Sequence, residues 1–143
     1  MPFVTGITRK QKKAWFDAIK ALATVKIALY STTTNLDANQ DPATPLAYGV
    51  AGELTASGTG YVAGGYAIAS ANMSVNADAA AYNLTFPNIE IASGTIASGT
   101  YGAMIYNTAD SNNAIAVCQV NVTVGSSGTT MTITVPANAL RIA

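Results

Sequence analysis

Histidine is missing from all 143 residues. Its absence removes the usual general base at neutral pH, the commonest zinc ligand, and every nucleophile that leans on an imidazole. Cysteine occurs once, at Cys118, so no disulfide can close within the chain and folding needs no oxidising compartment. That residue lies inside an alternating apolar stretch, which predicts a buried and unreactive thiol. Charge is scarce as well. Asp, Glu, Lys and Arg make up 10% of the residues, against about 25% in ordinary soluble domains. No run approaches the roughly 18 apolar residues that span a bilayer. The N-terminal stretch is basic where a signal peptide would be apolar, so the expectation is a cytoplasmic product without a standard export signal and without a membrane partner.

Half of the residues are apolar, and the polar remainder is mostly Thr, Ser, Asn and Gly. Small neutral side chains keep a protein in solution less well than charged ones, and they suit a chain docked against neighbours. The zero net charge conceals a division. In residues 1–26, the six cations Arg9, Lys10, Lys12, Lys13, Lys20 and Lys26 stand against Asp17, leaving +5. In residues 27–143, Arg141 stands against Asp37, Asp41, Glu53, Asp78, Glu90 and Asp110, leaving −5. A basic arm on an acidic body points to an acidic or polyanionic partner for the arm.

Thr8-Arg9-Lys10-Gln11 reads as a capping box. Trp15, Ile19 and Leu22 follow at i, i+4 and i+7 with Ala18 beside them, predicting an amphipathic helix over residues 7–23 with Trp15 as its anchor. This stripe has two destinations, its own domain or a neighbour. From Val25 the period becomes that of a strand, with Val25, Ile27 and Leu29 on one face. Residues 32–45 form a long polar loop, and the later chain alternates in short pieces: Met73 and Val75; Tyr82, Leu84 and Phe86; Ile89 and Ile91. Residues 101–107 and 114–122 predict a hairpin around a turn at 108–113. Residues 125–128 turn the chain into a strand over 131–135. The pentapeptide IASGT, repeated at 91–95 and 96–100, predicts paired turns. The fold expected is all-β, an antiparallel β-sandwich or jelly roll over residues 25–143, with residues 1–24 as a basic arm and one short N-terminal α-helix.

The search for chemistry yields little. The Asp- and Asn-rich residues 37–41 lack the glycine and distal glutamate of a calcium loop. The glycine segment 60–65 has no Lys-Ser/Thr after it and follows no strand–helix unit, so turn glycines explain it better than a phosphate cradle. The body's carboxylates are scattered, with no sign of the facing pair a glycosidase needs. The expectation is a protein that is not an enzyme and takes no metal or cofactor. Arg9, Lys10, Lys12, Lys13, Trp15 and Lys20 are the candidate partner-binding residues. Tyr61 and Tyr66 flank the glycine segment and are the candidate surface aromatics, able to stack on a sugar or a neighbouring chain. The arm could meet phosphates, but no nucleic-acid motif accompanies it, and nucleic acid is not the expected partner.

Residues 25–31 (VKIALYS), 53–65 (ELTASGTGYVAGG), 102–107 (GAMIYN) with 114–117 (AIAV), and 132–138 (TITVPAN) resemble, in order and spacing, a family of small virion structural proteins of tailed bacteriophages. That resemblance implies a capsid decoration, or cement, protein made in the host cytoplasm and carried on the capsid surface of the virion. It would bind the major capsid protein shell as a homotrimer. The alternatives are a head- or tail-fibre component, and a carbohydrate-binding attachment module using Tyr61, Tyr66 and Tyr101.

Overall fold

The computed structural model of the chain describes residues 6–31, 36, 46–49, 51–54, 61–77, 81–92, 96–125 and 130–142. Most of the polar loop at 32–45, including the Asp-rich 37–41, lies outside them. So do residues 55–60 of the glycine segment, residues 93–95 of the first IASGT copy and residues 126–129.

The helix, α1, spans Arg9–Lys20 and is shorter at both ends than the sequence pattern predicts. Thr8 caps it from extended backbone: the Gln11 amide donates to the Thr8 hydroxyl oxygen at 3.3 Å. Such a cap satisfies one of the N–H groups that a first turn leaves unpaired. Lys20 stands in the last turn, where the helix dipole favours a cation.

Among the described residues nine strands follow: β1 Val25–Tyr30, β2 Tyr66–Ala67, β3 Ser74–Ala77, β4 Tyr82–Thr85, β5 Ile89–Ala92, β6 Gly99–Asn107, β7 Ala114–Val124, β8 Thr130–Thr134 and β9 Leu140–Ile142. They form two antiparallel sheets, one of six strands ordered β2-β1-β6-β7-β8-β5 and one of three ordered β3-β4-β9. The architecture is an all-β sandwich, unequal in its layers, with one short helix. The expected hairpin is β6–β7, paired through Ala103 and Cys118, Met104 and Val117, and Ile105 and Ala116. Ser111 and Asn112 take positive φ in its turn, a conformation asparagine tolerates better than most residues. The two shortest strands, β2 and β9, carry too few residues to show a period. The second IASGT copy does not end in a turn, because Gly99 and Thr100 already belong to β6.

Alternation decides what is buried. Val25, Ile27 and Leu29 of β1 join Ala103, Ile105, Val120, Val122, Met131 and Ile133 in a core shared with Met73 and Leu84 from the side of the smaller sheet. On the opposite face of β1 and β6, Ala28, Tyr30, Met104 and Tyr106 pack with Leu46 as a second cluster, flanked by Leu36 and Tyr48. Strand β1 is therefore apolar on both faces, as a central strand covered twice must be. Farther along the sheet, Gln119, Asn121, Thr123 and Thr134 face solvent.

Phe16, 1% exposed, belongs to the first cluster. Its burial ties α1 to the sandwich beside β3 and β4. Helix and strands form one packed unit.

Candidate functional site

The helix turns a different face to the body than its apolar count predicts. Phe16 points inward, and Lys12 and Lys20, one turn before and after it, share that side. Both lysines are half-buried, with aliphatic stems that can lie on apolar surface while the ammonium reaches water. Arg9, two turns before Phe16, sets its guanidinium over the Tyr82 ring, 5.3 Å from the centroid. An exposed cation–π contact of this kind contributes about 0.5–1 kcal/mol. Lys13 pairs with Asp17 along the helix surface.

Trp15 is 42% exposed and Ile7 47% exposed. Ala14 and Ala18, opposite Phe16 on the helix, are also exposed. The predicted stripe is thus corrected: Ile19 and Leu22 do lean on the core, but Trp15 and Ala18 look outward and Phe16 is the anchor. The physical reason is that lysine and arginine stems flanking one phenylalanine cover apolar sheet well enough to hold the helix.

The second locus is a knot of tyrosines around Glu53. Residues 52–54 run beside the end of β1: Ser31 N donates to Gly52 O at 2.9 Å, and Leu54 N donates to Leu29 O at 3.0 Å. Strand β2 pairs with the other end of β1, at Lys26 and Ile27. Between these two segments the Leu29 amide would lack a partner, and it donates to the Tyr61 hydroxyl at 2.9 Å. The Tyr61 hydroxyl in turn donates to Glu53 Oε1 at 2.7 Å. Glu53 also accepts from the Tyr48 hydroxyl at 2.7 Å and from the Gly64 amide at 2.8 Å. The Tyr106 hydroxyl donates to Gly64 O at 2.6 Å, and its ring stacks on Tyr48 with centroids 4.8 Å apart.

Burial and one carboxylate placed among them make these tyrosines weaker acids together. The hydrogen bond to Glu53, followed by burial, pushes the Tyr48 hydroxyl up to about 12. Burial, then the charge of Glu53, pushes Tyr30 up to about 12. Tyr61 and Tyr106 are raised for the same reasons, burial first.

This knot corrects the reading of Tyr61 as a surface aromatic. It is 2% exposed, because its hydroxyl is needed to complete the edge of β1, and it offers no face to a ligand. Tyr66 is half-buried, packs edge-on against Tyr61 at 5.7 Å, and accepts the Val62 amide. Tyr101 is half-buried too, with its hydroxyl on Ala97 O at 2.9 Å. Cys118 is half-buried rather than fully buried, and burial raises its thiol to about 11. Among the described residues no three His, Cys, Asp or Glu side chains come together to hold a metal. No described helix is long and apolar enough to cross a membrane.

The geometry therefore separates the sequence candidates. Arg9, Lys12 and Lys20 share the inner side of α1; Lys10, Lys13 and Trp15 are exposed. Phe16, Tyr48 and Glu53 carry structural roles that sequence reasoning missed. The only signal for Glu53 was a lone carboxylate between glycine and leucine, close to Tyr48 and Tyr61. No protein-family model matches the chain, and no curated protein or solved structure matches it significantly.

Proposed function

We propose that the chain is a virion structural protein of a tailed bacteriophage, a capsid decoration protein that binds the shell of major capsid protein from outside and works as a homotrimer. The observation that carries this reading is the helix α1, fixed to the sandwich by Phe16 while Trp15, Lys10 and Lys13 are exposed on its other sides. A rigid body with a low-charge surface and one displayed basic element suits repeated docking on a closed lattice, where many modest contacts act together. The cations would steer the encounter with an acidic shell. In this reading the protein is made in the host cytoplasm, performs no chemistry and resides on the capsid surface.

The attachment-module alternative rested on Tyr61, Tyr66 and Tyr101, and the burial of Tyr61 takes away its central residue. The test is the rupture of particles that lack this protein. Heating or transfer to low salt should open them under conditions that leave complete particles intact. Equal rupture would sink the cement role, and immunogold labelling on the tail would favour a fibre component instead.

A further inference from the structure

We draw no further inference here: the strongest candidate, the exposed apolar face of α1 around Trp15 and Ala18, carries none because nothing in the structure shows what covers it.

Discussion

The backbone amide of Leu29 donates to the hydroxyl of Tyr61, 2.9 Å away and 32 residues later in the chain. A side chain here does the work of a strand partner, filling the interval between the segments that cover the two ends of β1. The same hydroxyl donates to Glu53, so its removal breaks two bonds at once. Tyr61→Phe should lower stability by about 1–3 kcal/mol, since an unpaired buried amide costs that much. Urea unfolding measures it; an unchanged midpoint would mean that water replaces the hydroxyl.

Gly65 presents a sharper constraint. Its φ is +71°, and a Cβ there would lie 1.9 Å from Ile27 O, within the backbone of β1. Gly65→Ala should prevent folding or cost more than about 4 kcal/mol, at the upper end for single substitutions. Gly64 also has positive φ, but a Cβ there meets only the Tyr48 and Tyr106 hydroxyls at an ordinary 3.8 Å. Gly64→Ala should therefore cost only about 1–3 kcal/mol, the strain of its backbone conformation. Comparing the two soluble yields and melting curves checks the order.

The strands were legible in the sequence wherever five or more residues run in a strand, as in β1, β6, β7 and β8, because residues of one face recur at every second position. The helix was legible in its existence and in its Thr8 cap. Its orientation was not. Counting apolar residues favours Trp15, Ile19 and Leu22 with Ala18 beside them. Ile19 and Leu22 do pack on the core, yet the docking face replaces Trp15 by Phe16 and adds the stems of Lys12 and Lys20, whose apolar carbons an alphabet of charged and uncharged residues conceals. The Glu53 knot was illegible for another reason. Its members come from positions 29, 48, 53, 61, 64 and 106, and nothing local in the chain announces a partnership across such distances.

The two aromatic neighbours on α1 separate packing from display. Phe16→Ala should cost about 3–5 kcal/mol, as for a buried phenylalanine, while Trp15→Ala should shift stability by roughly 1 kcal/mol or less, as surface changes do. Deleting residues 1–23 removes Phe16 and uncovers the core beside β3 and β4, so the truncated protein should aggregate or melt well below the full chain. Thermal unfolding of the three variants decides. A stable truncated sandwich would show that α1 is an accessory arm.

Alkaline stability follows from the tyrosines around Glu53. In an unfolded chain a tyrosine ionises near about 10, whereas Tyr30 and Tyr48 are pushed up to about 12 in the folded protein. Above pH 10 or so the unfolded state loses these protons first and the native state binds more of them, so stability falls as pH rises. Below that pH both states are protonated and the contribution is complete. The urea midpoint should thus hold level from about pH 7 to 9 and then drop between about 10 and 12. Lysines also titrate in that range, so the Tyr30→Phe and Tyr48→Phe variants supply the comparison. Each should show a shallower fall than the parent protein, because it carries one fewer hydroxyl that the folded state must keep protonated. A fall of equal steepness in both variants would place the alkaline sensitivity outside the knot.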